Sequence, residues 1–295
     1  MVPTQPKPVV SIIMPTYNRA YIIERAIKSI QVQTVPDWEL IVIDDGSTDD
    51  TRQIVEKIND PRIRHYSNEK NEGVVYSRNR ALELVRGDWT AYLDSDDELL
   101  PDYIEVVFTH LKKHKNIEFI LPRGNRLIEL YKDGKLVAVK DETKEEYPAT
   151  VNAQDIVHRK VHGMMPGFMH SRRVVEEGIR FDLKAFGSED WELMLTLCEK
   201  YPNGFLYVPE ILFTYHMRFG GDGIVSNHDY DKWAPLFEYI YQKHKNDTLM
   251  QGQTWYPDRV LKWRKLAEDY KKGLIPEYQL YYFKEFWSTP DKKKQ

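Results

Sequence analysis

The first half of the chain alternates short runs of β-branched and aromatic residues with segments whose apolar residues repeat at helical spacing. The strand-like runs are 9–14, 38–43, 63–66 and 89–93, and helix-like segments fall between them at 22–30, 49–58 and 74–85. Parallel strands need such crossover connections, so this order predicts an α/β fold with a Rossmann-like, mostly parallel sheet and helices on both faces. The Asp-Gly pair at 133–134, between strand-like runs at 127–131 and 136–139, predicts a hairpin, which makes the sheet mixed. A short helix around 154–160 and a last strand over 211–215 are also predicted.

The pattern changes after about residue 227. Apolar residues repeat at helical intervals over 233–241 and 260–270, and an aromatic cluster at 278–287 precedes three lysines at 292–294. These features predict a C-terminal helical extension over 227–295. Its aromatic side either packs on the main domain or a second subunit, as in a homo-oligomer, or rests on a membrane with the lysines toward anionic headgroups.

Composition excludes several classes of protein. The 295 residues carry 42 Lys and Arg against 46 Asp and Glu, and this net charge of -4 lacks the basic field that nucleic-acid binding needs. The single cysteine, Cys198, cannot form an internal disulfide, so we expect a cytoplasmic protein. No apolar stretch reaches the roughly 18 residues of a membrane span, so we expect any membrane contact to be peripheral, at the inner face.

Polar side chains follow three of the predicted strands at their carboxyl ends, which is where open α/β sheets bind ligands. The segments are Pro15-Thr16-Tyr17-Asn18-Arg19, Asp44-Asp45-Gly46-Ser47-Thr48-Asp49 and Asp94-Ser95-Asp96-Asp97. Two carboxylates one residue apart can hold a divalent cation that neutralises a diphosphate. The plainer alternatives are an acidic turn before a helix for the third segment and a helix-capping role for Asp45. No glycine-rich phosphate loop supports a dinucleotide oxidoreductase or a P-loop nucleotidase.

These three segments, in this order, resemble those of the inverting glycosyltransferases of family 2, which use the nucleotide-binding GT-A fold. The resemblance implies a GT-A domain over 1–226, with a nucleotide-binding half at about 9–121 and an acceptor-binding half at about 122–226. It also implies that the donor nucleotide contacts Pro15, Thr16, Tyr17, Arg19, Asp45, Arg78, Asp94, Ser95 and Asp96.

The resemblance further implies a divalent cation, Mn2+ or Mg2+, bound directly by Asp96, with Asp94 nearby and a histidine as third ligand. The family often has Tyr-Arg-x-His after the last strands, whereas this chain reads Tyr-His-Met-Arg at 215–218. His216 is therefore the first choice and His228 the second, and a structural or surface histidine is the alternative to both.

A later acidic pair is similar to the one that opens a helix in this family. It lies in Gly187-Ser188-Glu189-Asp190-Trp191, and the resemblance makes Asp190 the general base, with Glu189 beside it. A base is needed because removing the acceptor proton during attack raises the nucleophilicity of the hydroxyl. The plainer alternative is that both acids complement the helix dipole after a Ser188 N-cap.

The implied activity is transfer of a single sugar from a nucleoside diphosphate sugar, foremost a UDP-sugar, to an acceptor hydroxyl with inversion. The expected setting is glycan or cell-surface polysaccharide biosynthesis, and the absence of a Gln-x-x-Arg-Trp motif favours single over processive transfer. Two other classes stay open: a sugar-phosphate nucleotidyltransferase, and a non-catalytic subunit that binds nucleotide sugar. The missing glycine-rich loop argues against the first, and the complete set of acids argues against the second.

Overall fold

The structure, a computed structural model, describes residues 7–132, 135–141, 151–157, 165–219, 230–251 and 255–275. Nine strands and nine α-helices lie within these residues. The strands are β1 (Val10–Thr16), β2 (Trp38–Asp44), β3 (Ile63–Ser67), β4 (Trp89–Tyr92), β5 (Glu98–Leu99), β6 (Phe119–Lys132), β7 (Lys135–Asp141), β8 (Met169–Ser171) and β9 (Phe205–Phe219). The helices are α1 (Ile23–Gln31), α2 (Thr51–Lys57), α3 (Val74–Leu82), α4 (Tyr103–Lys113), α5 (Ala153–Val157), α6 (Arg172–Glu176), α7 (Glu189–Lys200), α8 (Tyr230–His244) and α9 (Trp255–Lys271).

The first four strands form the parallel part of the sheet. β1 lies between β2 and β4, and β2 also pairs with β3, all in parallel. Every residue of β1 and β2 is buried, as expected for strands that are covered on both faces. Helices α1 and α4 contribute Ile27 and Val107 to the same core. The predicted alternation of strand and helix in this half is confirmed.

Beyond β4 the sheet continues with antiparallel strands, in the order β3-β2-β1-β4-β8-β6-β9-β5. β8 pairs with β4 through Met169 and Ala91, and β6 pairs with β8 through Phe119 and His170. The predicted mixed α/β fold and the 127–139 hairpin are thus confirmed. β5 and β8 were not predicted, because strands of two and three residues are too short to show a periodic pattern.

Two predicted elements differ in extent from the structure. β9 begins at Phe205 rather than at Ile211, because Pro209 marks an apparent strand boundary in the sequence although the strand continues through it. The short helix predicted over 154–160 begins at Ala153 and is described as far as Val157. Its last predicted residues lie outside the described part of the chain.

Contacts divide the chain into two compact units, of which the first comprises Met1–Arg126 and Thr143–Tyr215 and the second Leu127–Glu142 and His216–Gln295. In the second unit α8 packs on α9, where the rings of Trp233 and Trp263 stack with centroids 5.3 Å apart. The helical character predicted for the C-terminal extension is therefore confirmed over α8 and α9. Its aromatic cluster at 278–287 and the lysines at 292–294 lie outside the described residues, and the predicted domain boundary at 226 stays a prediction.

The described helices include none that is both long enough and apolar enough to cross a bilayer.

Candidate active site

The loops after β1 and β2 are hydrogen-bonded to each other. The backbone N–H of Asn18 donates to Ser47 Oγ at 2.9 Å, and Asn18 Oδ1 accepts from the N–H of Thr48 at 2.8 Å. The next N–H, that of Arg19, donates to Thr51 Oγ1 at 2.8 Å. Asn18 adopts a φ of 52°, which asparagine tolerates better than most residues. The carboxyl ends of β1 and β2 therefore form one ordered rim.

Four of the predicted nucleotide contacts lie on this rim. Pro15 and Thr16 are buried at the end of β1, whereas the side chain of Tyr17 is 40% exposed. An exposed aromatic ring at a strand end can stack on a base. The roles predicted for Pro15, Thr16, Tyr17 and Arg19 stay predictions.

Asp45 joins the end of β2 to the start of α3. Its Oδ1 accepts from Asn68 Nδ2 at 2.5 Å and from the N–H of Glu72 at 3.0 Å, and its Oδ2 accepts from the N–H of Gly73 at 2.8 Å. Asp45 is 4% exposed. It thus holds the backbone before α3, rather than capping α2 as the plainer alternative assumed. These donors leave about one of the roughly four lone-pair positions of a carboxylate for a nucleoside, and the predicted nucleoside contact stays a prediction.

The acidic segment after β4 alternates between two environments. Ser95 and Asp97 are 4% and 0% exposed, whereas Asp94 and Asp96 are partly exposed. The N–H of Asp97 donates to the carbonyl of Asp94 at 3.0 Å, which closes a turn. Arg25 of α1 holds this turn by donating to the carbonyl of Asp96 at 2.7 Å. The two carboxylates that were predicted to meet the donor and its cation are therefore the accessible ones.

Arg78 joins this segment to the start of α7. Its guanidinium, 3% exposed, donates to Asp94 Oδ1 and to Glu189 Oε1, each at 2.7 Å. Burial by itself would lower the pKa of Arg78, but the facing carboxylates of Asp94 and Glu189 raise it above its ordinary value. The bridge spans 111 positions of sequence. It brings the carboxyl end of β4 and the first residues of α7 into one site.

The two acids that open α7 have different environments. Glu189 is 8% exposed, and because its Oε2 accepts from the N–H of Gly187 at 2.7 Å, both of its oxygens are bound. Asp190 is partly exposed, and its Oδ1 accepts from the N–H of Trp191 at 2.7 Å. Ser188 occupies the predicted N-cap position, but its side chain makes no capping hydrogen bond. That part of the prediction is wrong, since Glu189 turns back to the preceding backbone instead.

Tyr215 belongs to the same site and was missed by sequence reasoning. It follows Thr214, which pairs with Glu98 across β5 and β9, so strand pairing brings it beside the acidic segment. Burial raises the pKa of the Tyr215 phenol well above its ordinary value, and nearby negative charges raise it further. The carboxylates responsible are those of Asp97, Asp96, Asp94 and Asp190. A neutral phenol therefore lies within the field of acids from both the acidic segment and α7.

The predicted third metal ligand, His216, belongs to the second unit. It is 6% exposed, and its Nδ1 forms a 2.9 Å hydrogen bond with Glu129 Oε1. This hydrogen bond lowers the pKa of the Glu129 carboxyl. Glu129 was not foreseen as its partner, because the two residues lie on different strands. The role of His216 as a metal ligand stays a prediction, and His228 lies outside the described residues.

Asp94 and Asp96 offer the oxygen ligands that Mg2+ and Mn2+ prefer. Among the residues that the structure describes, no group of three or more His, Cys, Asp or Glu side chains is arranged to hold a metal ion. Mg2+ is usually bound through one or two carboxylates, with phosphate oxygens and water as its other ligands. These two aspartates therefore fit a cation that arrives with a diphosphate.

Comparison with known proteins identifies the family. Residues 11–179, more than half of the chain, match the family described as glycosyl transferase family 2. The chain belongs to glycosyl transferase family 2. The matched range of this family-2 chain includes the rim, Arg78 and the acidic segment, whereas Glu189 and Asp190 lie beyond it. The predicted family and enzyme class are confirmed.

The family-2 chain has curated relatives that it matches in part. It is 33% identical to the GalNAc(5)-diNAcBac-PP-undecaprenol beta-1,3-glucosyltransferase of Campylobacter jejuni, over 62% of this chain and 57% of that protein. It is 41% identical to the UDP-Glc:alpha-D-GlcNAc-diphosphoundecaprenol beta-1,3-glucosyltransferase WfgD of Escherichia coli, over 38% of this chain and 44% of that protein. The matches thus span about half of each relative's length.

One solved structure supports the fold. The chain is similar to S. aureus TarS 1-349 in complex with UDP-GlcNAc, with a TM-score of 0.65 and 21% identity over 86% of this chain and 71% of that one. This likeness confirms the predicted GT-A fold class.

Proposed function

We propose that this chain transfers a single sugar from a nucleoside diphosphate sugar to an acceptor hydroxyl, with inversion at the anomeric carbon, in glycan or cell-surface polysaccharide biosynthesis. The bridge from Arg78 to Asp94 and Glu189 carries the proposal. The bridge joins Asp94, which is proposed to contact the diphosphate, to helix α7, which bears the proposed base. A displacement at a sugar carbon needs the diphosphate and the base to be held in a fixed relative position. Uridine diphosphate is the proposed carrier, because WfgD and the TarS complex are both named with UDP-sugars.

Asp190 is the proposed general base. Its carboxylate is partly exposed, whereas that of Glu189 is bound through both oxygens. A base must come within hydrogen-bonding reach of the acceptor hydroxyl and take its proton as the sugar carbon is attacked. Glu189 is a positioning residue in this proposal, since it holds Arg78 and the Gly187 backbone and thereby fixes the start of α7.

Asp94 and Asp96 are the proposed contacts of the donor diphosphate and of its Mn2+ or Mg2+. When bound, such a cation stabilises the charge that builds up on the leaving diphosphate. Arg78 occupies Oδ1 of Asp94, so the other oxygen of Asp94 is the one proposed to face the donor. The proposed contacts of the rest of the nucleotide are Pro15, Thr16, Tyr17, Arg19, Asp45 and Ser95.

The proposed acceptor is carried by a lipid diphosphate at the inner face of a membrane. Both curated relatives have names that give acceptors linked to undecaprenol through a diphosphate. A homo-oligomer through the C-terminal helices stays a prediction.

Asp190→Asn and Glu189→Gln form a matched pair of variants for this proposal. Asp190→Asn is expected to lower the transfer rate by about 10²-fold or more, the usual contribution of a positioned base, while donor affinity is retained. Glu189→Gln keeps an oxygen for Arg78 but loses the acceptor of the Gly187 N–H, and it is expected to lose less of the transfer rate than Asp190→Asn. The measurements are sugar transfer from a panel of nucleotide sugars to a diphosphate-lipid glycan, product anomer by NMR, and donor binding by calorimetry.

Wild-type transfer by Asp190→Asn would show that another group is the base, and a product of retained configuration would exclude inversion. Release of pyrophosphate from a nucleoside triphosphate and a sugar phosphate would instead identify a nucleotidyltransferase. Donor binding with neither transfer nor hydrolysis across the panel would identify a non-catalytic subunit.

A further inference from the structure

The β6–β7 hairpin carries exposed apolar side chains on β7. Every residue of β7 is exposed or half-exposed, and within the described residues β7 pairs with β6 alone. Leu136, Val137 and Val139 are 50%, 53% and 52% exposed. An antiparallel strand ordinarily packs one face on the core. A run of exposed, consecutive apolar residues indicates a contact surface.

Lysines flank this apolar run. Lys132 ends β6 and Lys135 begins β7, both exposed, and Lys140 follows Val139. Over 132–141 three lysines stand against Asp133 and Asp141, a net charge of +1, and Glu142 follows. Aliphatic side chains beside lysines are typical of a surface on anionic lipid, because the aliphatic groups enter the interface while the ammonium groups remain at the headgroups.

The main alternative is that β7 pairs with the same strand of a second copy. The register of β6 and β7 shifts between Leu130 and Tyr131, which leaves Val137 without a partner residue on β6 in the ladder. This is a β-bulge, and bulges and lysines on an exposed strand are features that prevent edge-to-edge pairing. The hairpin therefore favours a lipid surface over another strand.

We propose that strand β7, together with Lys132 at the end of β6, binds the surface of an anionic lipid bilayer, with Leu136, Val137 and Val139 entering the interface. The inference rests on the proposed function, since an acceptor carried by a lipid diphosphate is presented at a bilayer and gives the protein a reason to bind there. Neither a single apolar cluster nor a few lysines hold a protein on a membrane firmly, and the two together give a reversible contact. Such a contact lets the protein move between acceptors.

Co-sedimentation of the full chain with vesicles tests the proposal. Vesicles of phosphatidylcholine and phosphatidylglycerol in equal parts are expected to bind the protein, and vesicles of phosphatidylcholine alone to bind it more weakly. The double variant Leu136→Gln and Val137→Gln is expected to lower the partition coefficient about tenfold. Lys132→Gln and Lys135→Gln are each expected to lower it about fivefold on the mixed vesicles. Val32→Gln at the C-terminal end of α1, where the valine is 58% exposed, is the matched control and leaves binding unchanged.

Several results would overturn the proposal. They are a wild-type chain that does not bind the mixed vesicles, hairpin variants that bind like wild type, or a Val32→Gln variant that loses as much binding as the hairpin variants. Sedimentation velocity covers the alternative, because a dimer that Leu136→Gln dissociates, with no vesicle binding, would make the hairpin a self-association surface. Binding of the nucleotide-sugar donor, measured without lipid, separates this proposal from the proposed function, because the hairpin variants are expected to retain it. A chain that binds vesicles yet transfers no sugar would refute the proposed function alone.

Discussion

Replacing Arg78 with methionine tests whether its two ion pairs hold the acidic segment after β4 and the start of α7 together. The substitution keeps most of the aliphatic length and removes the charge that binds Asp94 and Glu189 at 2.7 Å. The side chain of Glu189 is 11% exposed, so its carboxylate would remain buried without a positive partner. Removing one partner of a buried pair costs about 3–5 kcal/mol. We expect the free energy of unfolding to fall by about that amount in urea, with an unchanged m-value.

Two further variants separate the bridge from a general effect of the mutation. Arg78→Lys supplies one ammonium where the guanidinium supplies two separate N–H groups, so we expect loss of one charge-assisted hydrogen bond, about 1.5–3 kcal/mol. Combining Arg78→Met with Glu189→Met removes the stranded carboxylate, and the double variant is expected to lose less than the sum of the single variants. If the single losses add to within about 0.5 kcal/mol, the two residues are independent and the reasoning is refuted.

Burial lowers the pKa of His170 to about 4, whereas an unfolded histidine titrates near pH 6.5. Below pH 6.5 the unfolded state takes up the proton first, so the contribution of His170 to stability is complete above pH 6.5 and falls by about 1.4 kcal/mol per pH unit toward pH 4. Urea unfolding at several pH values across this range measures the loss. His170→Asn is expected to reduce the change of the unfolding free energy with pH, and an equal change in both proteins would contradict the assignment. Gly46 has a φ of 75°, and a Cβ there would lie 2.6 Å from the Lys70 carbonyl carbon. Gly46→Ala is therefore expected to destabilise the protein by about 1–3 kcal/mol or more and to weaken the proposed binding of UDP. Gly273→Ala, with a φ of 70° but nothing within 4 Å, is its control; equal losses in both would mean that the close approach at Gly46 is unimportant.

The parallel half of the fold was predictable because its strands β1 and β2 are buried on both faces. Strands such as β1 and β2 read as continuous apolar runs, and the helices between them carry a clear apolar repeat. The antiparallel half was less predictable, since β5 and β8 are held by pairing with distant strands rather than by any pattern of their own. Pro209 gave a false strand boundary, because only the fold decides whether a proline interrupts a strand.

The sequence allowed most residues of the candidate site to be predicted, but not the hydrogen bonds and ion pairs that join them. Asp94 and Asp96 follow a strand, and α4 begins only at Tyr103, so the acidic turn does not serve as the cap of that helix. The different environments of Glu189 and Asp190 depend on Arg78, which reaches them across 111 positions. No local pattern in a sequence records such a contact. Asp45 shows the same limit, because its donors come from the approach to α3 rather than from its own turn.

The interlocked loops after β1 and β2 have a consequence for changing the nucleotide preference that is proposed for this site. Asn18 and Arg19 from the first loop bind Ser47, Thr48 and Thr51 beyond the second strand. Altering the length of one loop alone would leave backbone N–H groups without the acceptors that the other loop now provides. Transplanting base specificity between homologues should therefore move 17–20 and 46–51 together, as one cassette. Libraries that randomise a single loop would mostly contain variants in which the two loops no longer form the ordered rim.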